Sequence, residues 1–350
     1  MTDGSWSVAK ASQSDFQIEG TRRQSRGPAR DAWRQFRRNR MAMVGAGFIL
    51  LVVILAIIAP WVTPYHYTTL NTANARAKPL TRYVVDEERL AKCHWTGTLL
   101  QKACGLYLAG SDALGRDIWS RTVYGARVSL SVAMVAVAVS LVIGAIYGAI
   151  SGYSGGRTDE AMMRLVDFLY AIPGLTLIIL LQVYFKALSR QGATGLPGLL
   201  IDANNVLGGL LFLFIALGAL SWLGIARLAR GQVLSHKERE YVLAARAVGV
   251  SKPRILFRHL LPSTIGPLLV VASLSIPGFI FAEAALSFIG LGVNPPMPSW
   301  GAMILEGYPG LRSSPYLVLV PGLALTLLAL SFNFVGDALR DAIDPRLHGR

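Results

Sequence analysis

Six stretches of about 20 apolar, almost uncharged residues recur along the chain and limit what it can fold into. The hydrocarbon core of a bilayer is about 30 Å thick, so a helix needs roughly 20 apolar residues to cross it. Soluble proteins rarely contain so many uncharged helical residues in a row. The sequence therefore predicts an all-α integral membrane protein with transmembrane helices at 41–62, 128–153, 168–185, 203–226, 263–291 and 313–336.

The distribution of basic residues predicts how the spans are oriented. The 34 Lys and Arg against 20 Asp and Glu give a net charge of +14, a balance also found in nucleic-acid-binding proteins. Here the bases lie between apolar stretches, so we expect membrane lipid and no nucleic acid as the partner. With a cytosolic N-terminus, the inside segments hold 22 of the 34 basic residues and the two short outside loops hold three. Both termini are therefore predicted to be cytosolic.

The spans and the segments between them divide the chain into four predicted units. The first apolar stretch is preceded by 40 residues, which is too many for a cleaved signal peptide. Residues 28–40 predict a basic helix with Trp33 and Phe36 on one side, lying in the inner headgroup layer or forming a solvated linker. The predicted units are a flexible cytosolic N-terminus (1–27), an amphipathic elbow helix with the first span (28–64), an extracytoplasmic segment with an insert (65–127), and a five-helix transmembrane domain (128–346) with a cytosolic loop at 236–262.

The extracytoplasmic segment contains the two cysteines of the chain. Cys93 and Cys104 are eleven residues apart, and in an oxidising compartment they could form a disulfide. His94 lies beside Cys93 and raises the alternative of a metal site, but the spacing is not that of a metal motif. We therefore leave a disulfide open and expect no metal.

The sequence lacks the motifs of ATP hydrolysis and of zinc hydrolases. Neither GxxxxGK[ST] nor HExxH occurs, so no cofactor is expected in this chain. Glu283 is the one acid in an apolar span, and it is either a pore or gate residue or a helix-packing contact. Pro277 and Gly278 in the same span predict a bend or an unwound turn that could serve gating.

The loop between the fourth and fifth predicted spans carries the most specific pattern. Apolar residues at helical intervals follow Glu240, and Gly249 stands where a helix ends. Ser251 is suited to cap a second helix that has Pro253 in its first turn. The loop thus predicts two short helices with a sharp bend between them. Ala244 and Ala245 would leave a shallow surface on which a partner could dock, although a solvated amphipathic loop has the same periodicity.

This loop resembles the signature of ABC importer permeases, which is Glu-Ala-Ala, three residues, Gly, nine residues, Ile, one residue and Leu-Pro. The chain has Ala244, Ala245, Gly249, Leu261 and Pro262 at matching positions, but Leu243 replaces the Glu and His259 replaces the Ile. Residues 239–242, Arg-Glu-Tyr-Val, match the variant of the peptide-permease branch. By resemblance, Glu240, Tyr241, Ser251 and these matching positions belong to a coupling helix that sits in a cleft of an ATPase subunit.

The resemblance to oligopeptide and dipeptide permeases extends over about residues 30–64 and 108–346. The matching stretches include Asp-Ala-Leu-Gly-Arg-Asp at 112–117, Ser-Gly-Tyr at 151–153 with Asp159, Leu-Ser-Phe at 286–288 and Asp-Pro at 344–345. Two stretches, 82–107 and 188–205, are longer than is usual in that family, which could alter docking of the binding protein or choice of substrate.

The resemblance implies a type I ABC importer permease of the C type, a multi-pass protein of the bacterial inner membrane. It also implies a second homologous permease, two ATPase subunits that bind ATP and Mg, and a periplasmic binding protein. Oligopeptide or dipeptide is the expected cargo, with nickel or glutathione as alternatives. An ion-driven secondary transporter would need more membrane acids or repeated broken helices, and a membrane enzyme would need convergent catalytic groups.

Overall fold

The computed structural model describes residues 28–83, 85, 87–95, 104–191 and 195–343, so the predicted flexible segment 1–27 lies outside the described residues. Two short strands of two residues each pair with one another, and most of the other described residues are helical. The elements are α1 (Pro28–Arg38), α2 (Arg40–Ile57), α3 (Ala59–Val62), β1 (Thr81–Arg82), α4 (Glu87–Lys92), β2 (Leu106–Tyr107), α5 (Ile118–Ser154), α6 (Gly156–Ala171), α7 (Gly174–Arg190), α8 (Leu196–Val206), α9 (Leu210–His236), α10 (Glu240–Ala247), α11 (Lys252–Ile255), α12 (Leu261–Phe288), α13 (Trp300–Gly307) and α14 (Tyr316–Ile343).

Five of the described helices are long and apolar enough to cross a bilayer. They are α2, α5, α9, α14 and the helix Lys252–Phe288, in which a π turn at Leu256–Leu260 joins α11 to α12. A sixth span results if α6 and α7, which meet at 78°, are counted as one broken crossing. The fold is thus the predicted all-α membrane architecture.

The predicted third span over 168–185 is interrupted in the structure. The chain leaves the helix at Ile172, which has an extended conformation (φ −78°, ψ 128°) before Pro173. A residue before proline is sterically disfavoured in the helical region, so the helix ends there. A window of uncharged residues does not register this break, because isoleucine and proline carry no charge.

The fourth and fifth predicted spans also differ from the structure. The fourth helix begins at Leu210 rather than Ala203, because Gly208 and Gly209 adopt positive φ angles of 63° and 93° and separate α8 from α9. In the fifth span, α12 runs without interruption from Leu261 to Phe288 through Pro277 and Gly278, so the helix is not unwound there. The second helix of the loop is therefore the beginning of this long span and not a short helix.

Helices α5 and α9 form the most extensive helix–helix contact of the described residues, along a row of glycines on α5. A Cβ atom on Gly148 would lie 2.1 Å from the carbonyl oxygen of Ala226, and one on Gly144 would lie 2.6 Å from Ile225 Cβ. Small residues at every fourth position allow helix backbones to approach this closely. The contact fixes the two helices that support α10, and we call the end of the bundle that carries α10 the α10 end.

The segment between α3 and α5 forms a small covalently closed unit at the opposite end. Cys93 and Cys104 are joined by a disulfide with their Cα atoms 6.1 Å apart. The hydroxyl of Tyr65 donates to the carbonyl of Cys104 (2.8 Å), and the indole of Trp95 donates to the carbonyl of Trp61 (2.8 Å). The bridge therefore closes the predicted insert on itself, and the hydrogen bond from Trp95 ties the insert to the end of the first span.

Helix α1 lies beside α14 and is joined to it by a hydrogen bond from Gln35 Nε2 to the carbonyl of Asp341 (3.0 Å). Trp33 and Phe36 stack with ring centroids 5.8 Å apart, which places them on one side of the helix as the spacing predicts.

Candidate functional site

Helix α10 and the bend that follows it form the candidate site. The helix ends in a Schellman motif: Gly249 N–H donates to the carbonyl of Arg246 (3.0 Å) and Val250 N–H donates to that of Ala245 (3.0 Å). Gly249 has φ +78°, the left-handed conformation that this motif requires and glycine accepts most readily. The stop at Gly249 therefore has the predicted physical cause, and it turns the chain sharply into α11.

One face of this bend is packed against the bundle. Val242, Ile255 and Leu260 are buried in a cluster that includes Ala149 of α5 and Val233 of α9. The guanidinium of Arg246 lies over the ring of Tyr153 of α5, at 5.5 Å from the ring centroid. These contacts make α10 a rigid extension of the α5–α9 pair.

The other face of the bend is apolar and open. Val248 is 84% exposed and Leu243 is 46% exposed, and Ala244, Tyr241 and Gly249 are exposed with them. Solvent-exposed valine and leucine beside alanine and glycine give a low, apolar surface of the kind that docks in a groove. We call Leu243, Ala244, Val248 and Gly249 the docking surface.

The structure places the other predicted loop residues differently. Ala245 is half-buried against the packed cluster, so Ala244 alone of the two contributes to the open face. Ser251 occupies the N-cap position of α11, but its side chain makes no capping hydrogen bond. Glu240 is exposed in the first turn of α10, and Leu261 is half-buried while Pro262 is exposed in the first turn of α12.

Two residues of this region carry a signal that the sequence reasoning missed. Val248, an apolar residue directly before the glycine stop, has no place in a solvated loop. Arg230 of α9 donates two hydrogen bonds to Asp159 of α6, from Nε to Oδ1 (2.6 Å) and from Nη2 to Oδ2 (2.7 Å). The hydroxyl of Ser151 donates to the same Oδ1 (2.5 Å), so three helices are joined directly above the bend.

Glu283 lies in the middle of the bundle and is fully enclosed. Its Oε2 accepts a hydrogen bond from Ser129 of α5 (2.9 Å), and its Oε1 accepts one from Ser287 of α12 (2.7 Å). Ser299, which caps α13, donates to Ser287 (3.1 Å). The carboxylate thus joins α5, α12 and α13, a geometry that favours the packing role. The role of Glu283, Pro277 and Gly278 in a pore or gate stays a prediction.

Charged residues at the opposite end form a second, mostly buried network. Arg116 Nε contacts Asp112 Oδ2 at 2.6 Å, and Arg121 Nη1 lies 2.7 Å from the same oxygen. Both guanidinium groups also contact Glu306 of α13, at 2.7 and 2.6 Å. This network holds the loop before α5 against α13, beside a cavity of about 360 Å³.

Two charged residues nearby in the sequence, Asp117 and Arg127, lie outside this network. Arg127 donates to the carbonyls of Ala56 and Ile57. Asp117 is the N-cap of α5 and accepts from the backbone N–H (2.7 Å) and hydroxyl (2.6 Å) of Ser120. Burial raises the pKa of the Asp117 carboxyl to about 6, although the two hydrogen bonds from Ser120 act in the opposite direction.

In the part of the chain that the structure describes, no group of three or more His, Cys, Asp or Glu side chains could hold a metal ion. The His94 ring is instead hydrogen-bonded through Nδ1 to the carbonyl of Thr63 (3.0 Å).

Two family models match the chain. Residues 140–349 match the inner membrane component of binding-protein-dependent transport systems, and residues 27–79 match the N-terminal transmembrane domain of oligopeptide transport permease C. Among solved structures, a chain of a methionine ABC transporter in an inward-facing conformation superposes with a TM-score of 0.48 at 18% identity, covering 65% of this chain and 98% of that one.

Curated relatives match almost the whole chain. The oligopeptide transport system permease protein OppC of Bacillus subtilis is 41% identical over 91% of this chain and 90% of its own length. The dipeptide permease DppC of the same organism is 36% identical over 95% and 90%, and the glutathione permease GsiD of Escherichia coli is 35% identical over 93% of each. The chain therefore belongs to the family of binding-protein-dependent transport system inner membrane components, and it is a multi-pass permease subunit of an ABC importer rather than an enzyme.

Proposed function

We propose that this permease forms half of a translocation path for peptides and that the docking surface couples it to an ATPase subunit. The observation that carries the proposal is the bend after α10, which presents exposed Val248 and Leu243 on a rigid support at one end of the bundle. An apolar surface of this kind is stabilised by burial against a partner. The oligopeptide and dipeptide relatives support peptides as the cargo.

The complete importer on this proposal has a second homologous permease, two ATPase subunits that bind ATP and Mg, and a periplasmic binding protein that delivers the peptide. Movement of the ATPase subunits would be passed to α10. Because α10 is packed on α5 and α9, and Arg230 ties α9 to α6, the force reaches three helices as a rigid-body motion. The α10 end is cytosolic on this proposal, which agrees with the basic residues that surround it.

The test places a charge on the docking surface. Val248→Asp and Ala244→Asp put a carboxylate where the partner would exclude water, and an unpaired buried charge weakens such an interface strongly. We expect each variant to lose at least about 10-fold in ATPase stimulation and in peptide uptake by the reconstituted importer, since that corresponds to about 1.4 kcal/mol. The matched control is Ser235→Asp, which adds the same charge at an exposed position near the end of α9.

Normal uptake with normal ATPase stimulation in both docking-surface variants would refute the coupling role. The cargo is tested separately, by competition of unlabelled oligopeptides, dipeptides, glutathione and nickel against labelled peptide uptake. The glutathione permease among the relatives makes glutathione the second candidate. If unlabelled glutathione reduced the uptake of the labelled peptide while unlabelled oligopeptides and dipeptides did not, the peptide assignment would be wrong.

A further inference from the structure

A second cavity at the opposite end has an excess of hydrogen-bond donors. It has a volume of about 320 Å³ and lies between α7, the junction of α8 and α9, and the turn that follows α12. Its polar wall consists of three amide side chains, one hydroxyl and two cations: Gln182, Asn204, Asn294, Ser189, Lys186 and Arg190. None of these residues takes part in the docking surface, in the Glu283 contacts or in the network of Asp112.

Gln182 contributes a buried donor to the cavity wall that the described residues do not satisfy. The side chain is only 2% exposed, and its Nε2 atom has no hydrogen-bond partner among the described residues. The Oδ1 of Asn204, another amide of the wall, accepts from the backbone N–H of Phe212 (3.1 Å) and not from Gln182. A buried amide donor is normally paired, so the unpaired Nε2 of Gln182 indicates a ligand with an oxygen acceptor.

Lys186 and Arg190 add positive charge to the same wall. They are four residues apart on α7 and therefore lie on one side of the helix, where like charges repel. Lys186 Nζ donates to the carbonyl of Gly290 (2.7 Å), which leaves further N–H groups of the ammonium available. Neither cation lies within 4.0 Å of a carboxylate in the ranges that the structure describes. An anion would relieve this repulsion and accept from both side chains.

We propose that this cavity binds the C-terminal carboxylate of a peptide in transit, an inference that rests on the proposed function. A carboxylate offers two acceptor oxygens to Lys186, Arg190 and Gln182 at once. Every linear peptide with a free terminus carries this group whatever its sequence, so a site that reads the terminus suits a permease for varied peptides. At about 320 Å³ the cavity is at the lower end of the range for ligand pockets, which fits one end of a peptide rather than a whole oligopeptide.

The first test measures how strongly the complete importer, in proteoliposomes, prefers tri-alanine over tri-alanine amide. The binding protein is the same in every preparation, so its own preference cancels when variants are compared with the wild type. We expect Lys186→Gln/Arg190→Gln to reduce the ratio of kcat/KM for acid over amide by about 10-fold, the scale of a lost charge-assisted interaction. Lys186→Arg should keep the ratio, and so should Arg312→Gln, which removes an exposed cation outside the cavity.

The second test does not depend on the binding protein. Acetylation of Lys186 is followed by mass spectrometry on the complete importer with tri-alanine or its amide present in excess. We expect the acid to protect Lys186 several-fold and the amide to leave it as reactive as without peptide, with protection weakened in Gln182→Met. Equal labelling in all three conditions would overturn the proposal.

The outcomes separate the inference from the function on which it rests. Peptide uptake that continues with an unchanged acid-to-amide ratio in the double variant overturns the carboxylate site and leaves the permease function intact. A wild-type importer that moves no peptide overturns both. If the double variant loses activity only in vesicles with phosphatidylglycerol and keeps the ratio in phosphatidylcholine, the cavity holds a lipid headgroup and the proposal is wrong.

Discussion

The glycine row between α5 and α9 allows a sharp prediction about stability. A Cβ atom on Gly148 would lie 2.1 Å from the carbonyl oxygen of Ala226 and 2.8 Å from Ala229 Cβ. Since carbon and oxygen atoms in contact are normally about 3.5 Å apart, the two backbones must separate by more than about 1 Å to admit an alanine. Overpacking of this kind costs about 1–3 kcal/mol, of which the better helix propensity of alanine offsets at most about 1 kcal/mol. We therefore expect Gly148→Ala to lower the free energy of unfolding by about 2 kcal/mol.

The measurement is a denaturant titration of the purified permease in detergent, followed by circular dichroism. Gly231→Ala is the matched control, because a Cβ atom at this position of α9 meets nothing within 4 Å. The control should be as stable as the wild type or slightly more stable, since only the propensity difference remains. Equal stability of Gly148→Ala and Gly231→Ala would refute the reasoning, because the helices would then not be held together by this close approach.

Three further substitutions test the polar contacts. Asp159→Asn removes the paired hydrogen bonds from Arg230 and should lower the free energy of unfolding by about 1–2 kcal/mol. The smaller value is expected because the Arg230 side chain is about one third exposed. In the same titration, adding Arg230→Gln to this variant should lower the free energy of unfolding no further. Glu283→Gln should leave the free energy of unfolding within about 1 kcal/mol of the wild type and retain uptake, because the hydroxyls of Ser129 and Ser287 can donate to or accept from the amide. Loss of uptake at normal abundance would instead support a role of Glu283 in a gate. Asp117→Asn tests a buried carboxyl whose pKa is raised from 3.8 to about 6. Because the folded state binds the proton more tightly than the unfolded state, this group contributes stability below about pH 4. That contribution is lost as the pH rises through about 6. The asparagine variant, which still caps α5, should therefore match the wild type near pH 4 and exceed its melting temperature at pH 7; parallel pH profiles would contradict the assignment.

The folding unit between α3 and α5 shows how local chemistry and long-range placement divide. The spacing of Cys93 and Cys104 left pairing open, and no sequence rule could decide it. The bridge is buried in one cluster with Tyr65 and Trp95, which are 30 residues apart in the chain. Such contacts come from the tertiary fold and leave no periodic trace in the sequence.

The sequence alone determined the all-α membrane class, the position of the bend at Gly249 and the family signature, because apolar length, a required positive φ and a fixed spacing are local properties. It misplaced the third and fourth helices, since uncharged Pro173 and Gly208 interrupt a helix without interrupting an apolar run. Only the tertiary structure decided which side of α10 is open, how Glu283 is enclosed and why Gln182 faces a cavity. Each of these depends on which neighbouring helix covers a given side chain. That choice is made by packing between separate helices, such as the contact of Glu283 with Ser129, rather than by the residues on either side in the sequence.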